Sequence, residues 1–142
     1  MNIDIFENDL VKCELDPDIP VLTHTWLKKP TSEEFRNQLK ELQKEYIKQK
    51  KEYPGLKWLV DSIKLGELTS DDEQWLKDEW EKLLFVEAGV KVHAVILADD
   101  IYADYSMEKF KSKAEKKYAE QGVKLGVFMV PENAYKWLRE EG

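Results

Sequence analysis

The sequence predicts an α/β chain built on a single mixed sheet. Its first strands pair antiparallel, right-handed β-α crossovers link the later ones, and there are about four helices. Three observations predict this. Short alternating apolar segments fill the opening of the chain. From Pro30 onward the apolar period switches back and forth between strand and helix spacing. Pro54-Gly55, Gly89 and Gly122 punctuate those switches.

The elements follow in order. NIDIF (2–6) and LVKCEL (10–15) are short alternating segments separated by the turn-like Glu7-Asn8-Asp9. DPDIP (16–20) is a second turn, since Asp and Pro favour turns by hydrogen bonding and by a fixed φ. VLTHTWL (21–27) sets Leu22, His24 and Trp26 on one face and Val21, Thr23, Thr25 and Leu27 on the other. Thr31 and Glu34 have capping-box spacing, and Phe35, Leu39, Leu42 and Tyr46 make one helical stripe. KWLVD (57–61) is short and mainly apolar, as a strand buried on both faces is. Ser70 and Glu73 repeat the capping-box pattern, followed by Leu76, Trp80, Leu83 and Leu84 on the buried side of a helix. VHAVILA (92–98) reads as the central strand. A helix with Met107, Phe110 and Ala114 inward comes next, then VKLGVFMV (123–130) as the last strand. Pro131 opens a final helix with Ala134, Trp137 and Leu138 inward. Short turns make the opening strands antiparallel, and the helices that follow make parallel crossovers.

A chain of 142 residues is expected to form one domain, 1–142, with a core that needs no staples. No apolar run approaches the length of a membrane span. The start MNIDIFEND has neither the basic nor the apolar region of a secretory signal. Cys13 is alone and can make no internal disulfide, so a reducing cytoplasm is expected. The net charge of −7, with no basic stripe, argues against nucleic acid and anionic membrane as partners.

Several segments together resemble a known family. They are Trp26 at the end of the strand before the first helix, "TSEEFRNQL", "KWLVDSIKLGELTSDDEQWLKDEW", "EAGVKVHAVILADDIYADYSMEKF" and "VFMVPENAYKWL". With these segments the chain resembles the SpoIIAA-like family, also described as STAS/Sec14-like domain proteins, in a bacterial branch. The resemblance covers essentially the whole chain and is most specific in the WLVDS…L…S/T-D-D-x-x-W stretch. It implies a STAS-type sheet and a non-enzymatic regulatory or protein-interaction role. In the anti-sigma-factor antagonists of that superfamily, a Ser at the start of the helix after this strand is phosphorylated and so controls a partner kinase. Ser70 is the nearest match by position. The antagonists carry an Asp-Ser-x-Gly-like motif, whereas this loop reads Leu68-Thr69-Ser70-Asp71-Asp72. A phosphate at Ser70 would gain from the helix N-terminus and lose to the two acids. The broader family is also linked with lipid or small-ligand binding.

Ligands of open α/β sheets gather beyond the carboxyl ends of the strands. The loops from residues 28, 62, 100 and 131 are expected to share that rim. There Asp61, Ser62, Thr69, Ser70, Asp71, Trp75, Asp99 and Tyr102 form the candidate binding or partner surface. Asp61, ending a buried strand, needs hydrogen bonds from the backbone of the following loop. Asp61, Asp99 and Asp100 could gather around Mg²⁺. Receiver domains, however, place an acid pair after the first strand and a Lys after the last, and this order differs. No metal site or cofactor is expected, and no GxSxG, P-loop or GxGxxG is present. His24 and His93 read as packed or rim residues and Cys13 as a small hydrophobe. Trp75 lies about 140° around a standard helix from Trp80, so both cannot face the core squarely. Trp75 therefore either packs at the core edge or joins Tyr102 and Tyr105 at a mouth or partner surface.

Three functions compete. The first is the non-enzymatic regulatory or interaction module with an unknown protein partner, its surface spanning Ser62–Trp75 and Ile101–Ser106. The second is a carrier for a small apolar or lipid-like ligand in a cavity lined by residues such as Phe35, Trp58, Phe110 and Phe128. The third is an acid-based enzyme using Asp61 with Asp99 or Asp100. An edge strand or aromatic surface also offers a route to a homodimer.

Overall fold

The computed structural model describes residues 2–99 and 113–141. Strands β1 (Ile3–Glu7), β2 (Val11–Asp16) and β3 (Val21–Trp26) come first. They pair antiparallel, with a bulge between Asp4 and Phe6 in the β1–β2 ladder. Helix α1 (Ser32–Lys50) and strand β4 (Lys57–Asp61) follow. Helix α2 starts at Ser70–Trp75 and runs on through π-helical turns at Leu76–Trp80 and Lys82–Glu87. After β5 (Val92–Ile96) come the helical residues 113–117, here α3, and a tight turn at Ala119–Gln121. Strand β6 (Lys124–Phe128) and helix α4 (Pro131–Glu140) complete the described chain. Tyr102, Tyr105, Met107, Phe110 and Asp100 lie outside the described residues.

The six strands lie in sequence order in one sheet, with β3 through β6 parallel. Each crossover steps one strand in the same direction. Crossovers of one hand that always step the same way return over one face. Accordingly, α1, α2 and Tyr118 share a core with Leu22, Trp26, Trp58 and Val60. Helix α4, which follows β6, packs Ala134 and Leu138 on the opposite face against Val21, Leu59, Ala94 and Ile96. The mixed α/β sheet expected from the sequence is present, with helices on both faces. The carboxyl ends of β3 to β6 meet at one edge, where Thr25, Asp61, Ile96 and Phe128 stand in register.

Local chemistry explains the elements that bear on this edge. Thr31 and Glu34 close a reciprocal capping box on α1. Below it Phe35, Leu39, Leu42 and Tyr46 are all buried, each burial contributing roughly 1.5–3 kcal/mol. Tyr46 stacks on Trp58 at 5.1 Å, and its hydroxyl donates to the Leu56 carbonyl. On the other face, the Lys57 ammonium donates to the Leu138 carbonyl, and burial lowers its pKa.

Helix α2 departs from expectation in two ways. Its cap is Thr69 rather than Ser70: Thr69 is extended, and its Oγ1 accepts the Asp72 N–H at 3.1 Å. Both hydroxyls can cap, and the backbone bend falls one residue earlier. The second departure is the register of the tryptophans. Glu81 N–H bonds to the Leu76 carbonyl and Ala88 N–H to the Leu83 carbonyl, both closing i→i+5 turns. Such turns bring residues five apart onto one side. Trp75 and Trp80 therefore stack, 6.1 Å apart with planes at 19°, where standard helical spacing would separate them.

Candidate functional site

A cavity of about 520 Å³ lies between the sheet and the helices of the larger core. Strand periodicity builds its floor, because alternate residues of neighbouring strands share a face. One row is Trp58, His93 and Leu125; the next is His24, Val60, Val95 and Val127. Phe35 and Leu39 of α1 and Leu76, Trp80, Leu84 and Phe85 of α2 form the facing wall. Leu65, Gly66 and Leu68, from the loop after β4, close one side, and Ala114 of α3 adds a further part. Gly66 adopts a φ of 80°, the left-handed conformation that glycine accepts freely.

The floor holds an ordered polar chain. Trp58 Nε1 donates to His24 Nδ1 at 2.8 Å, and the Trp58 carbonyl lies 2.9 Å from His93 Nδ1. An indole nitrogen only donates and a carbonyl only accepts, so both tautomers are fixed. His24 carries its proton on Nε2. His93 carries its proton on Nδ1 and keeps the lone pair on Nε2. Burial lowers the His24 pKa to about 3, helped by His93, and lowers that of His93 to about 4. Both rings are neutral near pH 7. Among the described residues, His24 Nε2 is the buried side-chain polar atom left without a hydrogen-bond partner.

Carboxylates mark one part of the wall. Glu73 and Glu81 both line the cavity, and Glu81 is buried. Burial raises the Glu81 pKa, against the pull of Lys117 at 3.5 Å and the Tyr118 hydroxyl at 3.4 Å.

The structure distributes the sequence-predicted site residues unevenly. Asp61 Oδ1 accepts the Ile63 N–H at 3.1 Å, the loop-holding bond its position called for. Ser62 is buried and lines the cavity; its N–H donates to the Ile96 carbonyl. Thr69 caps α2, while Ser70 and Asp71 are exposed on its first turn. Asp72 is buried, accepting from the Ser32 hydroxyl at 2.8 Å and Arg36 Nε at 3.0 Å. Trp75 is half-buried at the core edge between Phe35 and Trp80, with the Arg36 guanidinium 5.5 Å from its ring centroid. Asp99 is exposed at the end of the described segment, and Tyr102 falls outside it. Among the described residues, no cluster of three or more His, Cys, Asp or Glu is placed to hold a metal ion.

Of the expected cavity residues, Phe35 and Trp58 do line it. Phe128 does not. Strand alternation turns Phe128 to the opposite face, where it packs on Trp137 at 5.6 Å. His24 and His93, expected as packed or rim residues, are packed and also form the cavity floor. The signal available for them was their alternation with Trp26 and Trp58 on a shared face. Compared with known proteins, the chain matches no family model, no curated protein and no solved structure.

Proposed function

We propose that this chain binds or carries a small, mainly apolar molecule in the cavity between its sheet and helices. The observation that supports this reading is the cavity itself. Its volume of about 520 Å³ falls within the roughly 300–1,000 Å³ common for small-molecule sites. Its lining is aliphatic and aromatic with few polar groups, as such sites are. The role is non-enzymatic and belongs to the cytoplasm, where the single buried Cys13 stays reduced. The SpoIIAA-like resemblance belongs to the same proposed reading, since that family is linked with lipid or small-ligand binding. Among the described residues no helix is long and apolar enough to cross a membrane.

Native mass spectrometry of gently purified protein tests the proposal. A retained small molecule, or uptake of an added apolar probe in a one-to-one ratio, is the expected result. Neither retention nor uptake would remove the basis of the reading.

A second reading, the interaction module, has its own support. Ile63, Met129 and Val130 are exposed, and all three follow carboxyl ends of parallel strands. If this rim docks a partner protein, Met129→Asp abolishes partner recovery while ligand uptake persists. Unchanged recovery would count against docking there.

A further inference from the structure

We propose that the cavity's ligand is a mainly apolar molecule carrying one protonated amine, whose ammonium donates to the Glu81 carboxylate. This inference rests on the cavity reading above and names the ligand's chemistry.

The charges on the wall are of one sign. Among the described residues that line the cavity, Glu67, Glu73 and Glu81 are acidic and none is Lys or Arg. Glu81 is the buried one of the three. Its Oε1 meets the Lys117 ammonium at 3.5 Å and the Tyr118 hydroxyl at 3.4 Å, both at the long limit of hydrogen bonding. The Lys117 side chain is 53% exposed, so water shares its charge. Glu81 Oε2 has no partner among the described residues.

That oxygen is open to the cavity. Among the described residues, His24 Nε2 is the unpartnered side-chain atom that is also sealed. Glu81 Oε2 and His93 Nε2 are likewise unpartnered and are therefore accessible, and both side chains line the cavity. His93 gives its proton to the Trp58 carbonyl from Nδ1, so its open Nε2 accepts. Phe85 ties the two residues together. Its ring lies 6.2 Å from that of His93 and 5.0 Å from that of Tyr118, whose hydroxyl meets Glu81. Two open acceptors thus share this part of the wall, and a molecule that fills it has to donate.

The charge of the ligand follows. A buried carboxylate calls for a paired cation, and Lys117 supplies only a distant, solvated one. A second cation at Oε2 offsets the burial that raises the Glu81 pKa. A carboxylate ligand brings only acceptors and a like charge. Water and alcohols can donate here too, but an ammonium makes charge-assisted bonds, roughly twice as strong as neutral ones. The rings of Trp58, Trp80 and Phe85 on the same wall also suit a cation.

The test uses the full chain and three probes of equal carbon number: octylammonium, 1-octanol and octanoate. Titrations followed by tryptophan fluorescence run at about 0.15 M salt, where loose attraction to the net negative surface is screened. Native mass spectrometry gives the stoichiometry. The expected result is one-to-one binding of octylammonium, at least tenfold tighter than 1-octanol, with octanoate weakest. Glu81→Gln lowers the preference for octylammonium over 1-octanol about tenfold and leaves 1-octanol binding unchanged. Lys117→Met, at an exposed position, removes the competing cation and tightens octylammonium binding about threefold. It tests the same carboxylate should Glu81→Gln fail to fold. Binding of 1-octanol or octanoate as tight as octylammonium overturns the inference and leaves the cavity reading intact. An octylammonium affinity that neither variant changes overturns the assignment to Glu81. If none of the three probes binds, the cavity reading fails and this inference with it.

Discussion

Trp58 organises its surroundings through both ends of one residue, the indole nitrogen and the backbone carbonyl. Its ring is wholly buried, stacked on Tyr46 and edge-on to Trp80. Flanked this way, His24 and His93 are held neutral by burial, and that has a pH consequence. Their ordinary pKa is 6.5, while in the fold they are lowered to about 3 and about 4. Below pH 6.5 the unfolded chain takes up protons that the folded chain refuses. Stability is therefore full above about pH 6.5 and falls as pH drops from there toward 4. Each histidine adds at most about 1.4 kcal/mol per pH unit to the slope. The chain has only these two, so their sum bounds the imidazole contribution. Glu81, raised by burial, acts in the opposite sense nearer its ordinary value of 4.5. Urea unfolding between pH 7 and 5.5 is the cleaner window. A flat profile there would contradict neutral burial, whereas His24→Phe should roughly halve the slope.

At the scale of elements, α2 separates what local pattern determines from what it does not. Thr69 and Ser70 are both good capping residues, and each has an acid three positions on, Asp72 or Glu73. The choice depends on Asp72, whose carboxylate reaches across to Ser32 and Arg36 at the start of α1. That contact spans 36 to 40 residues, beyond any capping motif. Thr69→Ala should cost about 1 kcal/mol and Ser70→Ala less than about 0.5, measured by chemical denaturation. Equal losses, or a larger one at Ser70, would return the cap to Ser70. The order of strands and helices was legible, because period 2 and period 3.6 alternate cleanly between turn residues. The π-helical turns were not, because a standard helical template assigns Trp75 and Trp80 to different sides from the outset. Their stacking depends on i→i+5 closure, which no spacing of apolar residues announces.

For the whole molecule, the division of labour lies across the two faces of one sheet. The site was legible only in part, since a cavity is the space between layers and its volume depends on every wall at once. Phe35 and Trp58 could be read from their stripes, but Phe128 was assigned to the wrong side of a strand whose register is set only by pairing with β5. On β6, Leu125 and Val127 line the cavity, while Gly126 and Phe128 meet α4. A side chain at Gly126 would place its Cβ 2.8 Å from the Phe128 ring and 3.0 Å from that of Trp137. Gly126→Ala should therefore destabilise the fold by about 1–3 kcal/mol through overpacking, with ligand uptake preserved in the protein that remains folded. Val95→Phe is the converse. Val95 sits on the cavity floor, half-buried, with open volume above it. A larger ring there has space to occupy, so stability should change by less than about 1.5 kcal/mol while uptake of an added apolar probe is lost. Thermal melts paired with fluorescence titration check both variants. If both lose stability and uptake together, the two faces are not independent and the cavity is not a separable site. Opposite outcomes instead separate the face that holds the fold together from the face that holds the ligand.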